Sequence, residues 1–207
     1  MNAHSIGKIM TKNNDKKNDK RARIIEAAVK VFAHQGFYNS KVAMIAKEAG
    51  VADGTIYLYF KSKDDILISI FEEKIDFVIN EQNKNLKRYN TAEEKLESFA
   101  KTHLQLIVNN PALAELLQVE LRQSSKFMKD YQQDKFIEYL NIIGDVIYEG
   151  QQGGEFKESI KINIAKIIFF GALDEFATQW VLQKPRNVTI TKAAKQICEI
   201  FLKGMIK

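Results

Sequence analysis

Between residues 55 and 63 the chain sets four side chains able to hydrogen-bond nucleic acid: Thr55, Tyr57, Tyr59 and Lys63. A threonine offers a hydroxyl to a base edge or phosphate and a methyl to thymine, whereas phenols and an ammonium suit phosphate oxygens. They lie in and just after the segment Val51-Ala-Asp-Gly-Thr-Ile-Tyr-Leu-Tyr-Phe60. Ile56 and Phe60, four apart, would face inward and pin it. Thr55, Tyr57, Leu58 and Tyr59 would then line the outer surface beside Lys61 and Lys63. Read plainly, the two tyrosines are core aromatics with wet hydroxyls; a leucine on the outer face between them, next to two lysines, favours binding. A second polar group, Glu120, Arg122 and Gln123, interrupts Leu116-Leu-Gln-Val-Glu-Leu-Arg-Gln-Ser124. Glu120 and Gln123 share a helix face with Leu113, Leu116 and Leu117, while Arg122 lies about 160° round from Glu120. Polar groups on a buried face need partners. They either lock adjacent helices as a Glu–Arg–Gln network, or meet the polar head of a ligand whose tail lies among Leu, Ile and Phe.

The elements that must hold these groups are helical. The 207 residues are 45 % hydrophobic and 28 % charged, with only two prolines and ten glycines, which argues against an all-β sandwich or barrel and for a mostly helical protein. Asp19 can cap a helix over Lys20 to Gln35 that Gly36 closes, with Ile24, Ala27, Ala28, Val31 and Phe32 on one face. Ser40 can cap Lys41 to Ala49, ended by Gly50, and Asp53 can cap Gly54 to Phe60. Ser62, with Asp65 three residues on, opens a fourth helix to about Tyr89. Two short helices joined by a tight glycine turn and packed on a longer one describe a helix-turn-helix. Further starts fall at Thr91, Pro111, Ser124 or Ser125, Ser159, and Thr189 or Thr191, with stops at Asn109–Asn110, Gly153–Gly154 and Pro185. The expected fold is all-α with about nine helices. Residues 1–18 read as a flexible basic tail, 19–63 as a helix-turn-helix domain and 64–207 as a larger bundle.

Charge agrees with that division. The net charge is +5, yet residues 1–63 hold twelve Lys/Arg against five Asp/Glu, so the positive excess belongs to the N-terminal third. That is the footprint of a phosphate-binding module, or of a solubilising lysine-rich tail. The first 23 residues lack the apolar core of a secretory signal, and Ile160 to Leu173 is too short and too charged to span a bilayer. No membrane association is expected. His4, His34 and His103 are far apart, there is no Glu-x-x-His pair, and no Gly-rich phosphate loop or local Ser/His/Asp signature appears. An enzyme is the rival from another class, and these absences count against it. His103 reads as a satisfied core or rim histidine, and Cys198, the one cysteine, as a packed apolar residue that cannot build a metal site alone.

The run from Arg23 to Leu67, with Ile45-Ala-Lys-Glu-Ala-Gly-Val-Ala-Asp-Gly-Thr-Ile-Tyr-Leu-Tyr-Phe-Lys-Ser-Lys-Asp-Asp-Ile-Leu, resembles the DNA-binding domain of TetR/AcrR-family transcriptional regulators. The resemblance implies that Thr55, Tyr57, Tyr59 and Lys63 contact DNA, and that Ser40 or Lys41 meets a phosphate at the start of the second helix. Tyr59 stands where many members have His, and Lys41 replaces a common Thr. Glu120-Leu-Arg-Gln-Ser, Tyr139-Leu-Asn-Ile-Ile, Glu149-Gly-Gln-Gln-Gly-Gly-Glu and Phe170-Gly-Ala-Leu-Asp-Glu are similar to the fatty-acid-degradation (FadR-like) branch of that family. That likeness implies a palindromic DNA operator, release by long-chain acyl-CoA lying in a tunnel through the bundle, no bound cofactor or metal, and a cytoplasmic, nucleoid-associated place in a bacterium. Candidate ligand contacts on this sequence are Glu120, Arg122, Gln123, Asp174, Glu175 and Gln179. The last two helices are apolar on more than one face, which a homodimer interface explains better than a thick monomer core. The alternative within the family is a multidrug or other lipophile sensor.

Overall fold

The computed structural model describes residues 3–117, 134–182 and 188–206. Among them are nine α-helices and, apart from one isolated bridge, no strand pairing. They are α1 (Ala3–Gln35), α2 (Val42–Ala49), α3 (Asp53–Ile56), α4 (Lys63–Leu86) and α5 (Ala92–Asn109). Then follow α6 (Pro111–Glu115), α7 (Asp134–Gln152), α8 (Ile162–Leu182) and α9 (Ile190–Met205). The chain divides into two compact units, residues 1–70 and 71–207. The division falls inside α4, seven residues later than the boundary expected at 63/64.

Unit 1 is built on the face that the sequence marked. Ile24, Ala27, Ala28, Val31 and Phe32 are buried on α1, against Ile45 and Ala46 of α2 and Ile56, Phe60, Ile66 and Leu67 beyond it. Gly50 ends α2 at φ +64°, a left-handed conformation that an L side chain adopts only under strain. Arg23 from α1 donates to Ala49 O at 2.6 Å, satisfying one of the carbonyls the helix end leaves open. Two expectations fail locally. Asp19 does not cap α1, which runs through it from Ala3; the Lys/Asn-rich stretch before it contains no proline to stop a helix. Asp53 is the first residue of α3 rather than its cap, and Ala52 takes the cap position with no side-chain bond. The helix start at Ser62 is as expected. Ser62 Oγ accepts from Asp65 N at 3.1 Å, and the Asp65 carboxylate reaches back to Lys61 N at 2.8 Å.

Unit 2 packs α5 against α7 and α9, and α7 against α8. Its core holds Leu96, Phe99, Leu104, Tyr139, Ile143, Ile147, Phe169, Leu173, Cys198 and Leu202. Thr91 caps α5 through a full capping box with Glu94, and Thr189 caps α9 by accepting from Lys192 N. Pro111 is the first residue of α6, where its missing N–H costs nothing. α8 begins at Ile162, three residues after the expected Ser159. The glycine-rich turn after α7 has a packing purpose. A Cβ on Gly150 would lie 2.4 Å from the buried Phe156 ring and 2.7 Å from Ala92, so only glycine lets that turn close. Glu155 in the same turn accepts from Ala92 N and Glu93 N, answering the open N–H groups of α5.

Candidate nucleic-acid interface and ligand-binding bundle

In unit 1 the segment after Ala52 turns four residues of helix and then tightens. Leu58 N donates to Thr55 O, and Tyr59 N and Phe60 N both donate to Ile56 O. Ile56 and Phe60 are 1 % and 2 % exposed, while Tyr57 and Leu58 are 60 % and 76 % exposed. Thr55 and Tyr59 are half-buried at the edge of this surface, and Lys61 is exposed. Burying two apolar anchors four apart thus presents the hydroxyls and the leucine outward, as the spacing required. Tyr38, in the turn before α2, is also exposed; no spacing rule singles it out.

The two positions flanking this surface have other duties. Ser40 is 3 % exposed, and its hydroxyl donates to Gly36 O at 2.7 Å, so it neither caps α2 nor reaches solvent. Lys41 occupies the cap position instead, with extended backbone, no side-chain cap bond and an exposed side chain. Lys63 is committed inward. Its ammonium donates to Phe37 O at 2.6 Å, Ser40 O at 3.0 Å and Tyr38 O at 3.1 Å, and it lies 4.5 Å from the centre of the Phe37 ring. All three ammonium protons are used on backbone carbonyls, leaving none for a phosphate. Lys63 therefore ties down the α1–α2 turn.

In unit 2, Glu120, Arg122, Gln123 and the expected helix start at Ser124 or Ser125 lie outside the described residues. Of the three α8 candidates, Asp174 is buried. Glu175 and Gln179 are exposed and hydrogen-bonded to each other at 2.7 Å, one turn apart. They belong to the outer side because the inward stripe of α8 is Ala165, Phe169, Leu173, Asp174, Ala177 and Val181.

Asp174 belongs to a buried polar group that residue spacing alone did not assemble. Gln82 from α4, His103 from α5 and Tyr139 from α7 meet in the core. Gln82 Nε2 donates to Phe99 O at 3.1 Å and to Tyr139 Oη at 3.4 Å, and Tyr139 Oη is 2.7 Å from His103 Nδ1. Burial pushes the His103 pKa down to about 4 against the opposing pull of Asp174, so the ring is neutral at physiological pH. Burial likewise raises the Tyr139 phenol. The available signal is His103 itself, an imidazole set among the buried apolar side chains Leu96, Phe99, Ala100, Leu104 and Ile107. Cys198 is buried and its thiol is pushed up to about 12, chiefly by burial, so it carries no thiolate chemistry.

Unit 2 also leaves apolar surface uncovered. Ile164, Ile167 and Ile168 on α8 are 59 %, 60 % and 57 % exposed, and Ile200 on α9 is 76 % exposed. Ile164, Ile168, Ala172, Ile197, Ile200 and Phe201 line one open groove between the two helices. A separate groove of about 400 Å³ runs along α4 and α5 past Phe77, Asn85, Arg88, Lys101 and Thr102. Among the described residues no three potential metal ligands cluster, and no helix is long and apolar enough to cross a membrane.

Comparison with known proteins accounts for both units. Residues 24–70 match the bacterial regulatory proteins of the tetR family, and residues 71–204 match the C-terminal region of YsiA-like proteins. The chain is 40 % identical over 189 residues to the fatty acid metabolism regulator protein of Bacillus subtilis, covering 91 % of this chain and 97 % of that one. It superposes on the crystal structure of FadR from Bacillus subtilis in complex with stearoyl-CoA with a TM-score of 0.82, over 88 % of this chain and 98 % of that one. The fatty acid degradation regulator FadR of Bacillus halodurans gives the same TM-score at 36 % identity, over 89 % of this chain and 95 % of that one.

Proposed function

Since the chain belongs to the tetR family of bacterial DNA-binding regulators, and is no enzyme, we propose that it is a homodimeric repressor of fatty-acid-degradation genes, released from a palindromic operator by long-chain acyl-CoA. The observation that carries this reading is that the likeness to a regulator solved with stearoyl-CoA extends through unit 2, the part that varies with the effector. A likeness confined to residues 24–70 would support DNA binding alone.

On this reading Tyr57 and Leu58, with Thr55 and Tyr59 at their edge, enter the major groove. Lys41 and Lys61 supply phosphate contacts from either side, and the Tyr57 hydroxyl reaches a phosphate. Two copies joined through the α8–α9 face place two such surfaces on successive half-sites. The acyl chain lies among the apolar side chains of unit 2. α4 is continuous from Lys63 to Leu86, tied at one end to the α1–α2 turn and at the other to the Gln82 group. It is the element through which the bundle and the head exchange free energy. A coupling of about 1–3 kcal/mol would weaken operator binding roughly 5–150-fold.

A mobility-shift titration tests the reading. Operator from a fatty-acid-degradation promoter is expected to bind with steep salt dependence and to be released by palmitoyl-CoA. Free CoA, or a planar cationic drug in its place, is expected to leave the complex intact. Release by the drug and not by palmitoyl-CoA would make the bundle a multidrug sensor. Tyr57→Phe is expected to weaken the complex by severalfold with acyl-CoA affinity unchanged; equal operator binding would remove that hydroxyl from the interface.

A further inference from the structure

The Gln82–Tyr139–His103 group is short of one partner at each end. Gln82 is fully buried, Tyr139 is 2 % and His103 9 % exposed, and neither Gln82 Oε1 nor His103 Nε2 has a hydrogen-bond partner among the described residues. The direction of the bonds follows from counting protons. Phe99 O can only accept, so the Gln82 atom facing it is the amide nitrogen, and that nitrogen also donates to the Tyr139 oxygen. The phenol then has one proton and, among the described residues, one acceptor in reach, His103 Nδ1 at 2.7 Å. Were Nδ1 protonated instead, the phenol proton would face only the Gln82 donor. His103 is therefore the Nε2–H tautomer, and its remaining N–H points to the far side of the ring from Tyr139.

The surroundings of that ring are aromatic. Phe99 stacks on it at 6.3 Å, Phe170 meets it edge-on at 5.7 Å, and Phe136 packs on Phe170 at 5.3 Å. A donor stripped of water and aimed from an apolar, aromatic shell fits an acceptor carried on a largely apolar molecule. We propose that His103 Nε2–H donates to the thioester carbonyl oxygen of the bound acyl-CoA, with Gln82 and Tyr139 as positioning residues that fix the tautomer. This rests on the acyl-CoA reading above and adds the atom by which the protein reads the thioester. It also separates two lipids of equal chain length. A carboxylate brings a full negative charge beside the buried Asp174, whose charge already acts on His103 and Tyr139, whereas a thioester carbonyl brings none.

The test is a calorimetric titration of the full-length protein with palmitoyl-CoA and with S-hexadecyl-CoA, the thioether in which a methylene replaces the carbonyl. The wild type is expected to favour the thioester by about tenfold, the worth of one well-made buried hydrogen bond. Palmitate is expected to bind more weakly than either. His103→Phe keeps an aromatic ring in the shell and is expected to bring the two CoA ligands to equal affinity. Tyr139→Phe, which frees the tautomer while preserving packing, is expected to lose part of the preference and stands in if the first variant does not fold. Equal affinities in the wild type, the result if only water meets Nε2, would overturn the inference, as would a preference that survives His103→Phe. A wild type that binds neither CoA ligand would instead bring down the acyl-CoA reading on which the inference stands.

Discussion

Lys63→Met is expected to lower the unfolding free energy by about 1–3 kcal/mol and to weaken operator binding more than tenfold. The methionine keeps the length and apolar stem of the lysine but abandons the carbonyls of Phe37, Tyr38 and Ser40, and the ring of Phe37 loses its cation. Those carbonyls belong to the turn that ends at Lys41 and sets where α2 begins. DNA affinity is then lost through displaced geometry, not through a missing phosphate contact. Thermal melting and operator anisotropy measured on the same variant separate the two. A surface phosphate contact predicts unchanged melting, with the salt slope of binding reduced by about one. That combination would contradict the structural role.

Ile168→Glu is expected to have the larger effect on operator binding, a loss of 100-fold or more, with the melting of each copy little changed. Ile168 is 57 % exposed beside Ile164, Ile167 and Ile200, so its side chain contributes little to the core. A twofold interface is self-complementary, so the new carboxylates from two copies would be buried close together. Dissociation of the dimer removes the second head from the operator, and with it an effective-concentration gain of roughly 10²–10⁴. Analytical ultracentrifugation should show a dimer for the wild type and a monomer for the variant. A wild type that sediments as a monomer, or a variant that remains a dimer, would place the interface elsewhere.

Local rules carried much of the fold. The capping pairs Ser62–Asp65 and Thr91–Glu94 need only residues three apart, and both form. The inward pair Ile56 and Phe60 and the outward Tyr57 and Leu58 follow from helical spacing alone. Side chains with long-range partners were not legible. An ammonium or hydroxyl fits a phosphate and a backbone carbonyl equally well, so nothing near Lys63 in the chain reveals that it reaches carbonyls 23 to 26 residues away. Ser40 differs: its partner, Gly36 O, is only four residues back, but a serine before a helix suits a cap and a backward bond to a carbonyl equally well. That Glu175 and Gln179 lie on the outer side is hidden in the sequence because α8 is apolar nearly all round. His103 does stand out among its apolar neighbours, but the missing bond at Nε2 depends on Gln82 and Tyr139, 21 and 36 positions away.

The most direct test follows operator release against acyl chain length. A fluorescent operator held by the wild-type protein is titrated with acyl-CoAs from eight to eighteen carbons. An apolar bundle that encloses the chain predicts that each two added carbons lower the releasing concentration by about tenfold until the enclosure is filled, because each buried methylene is worth about 0.8 kcal/mol. Release at the same concentration for every chain length, or by CoA alone, would show that the bundle does not take up the chain.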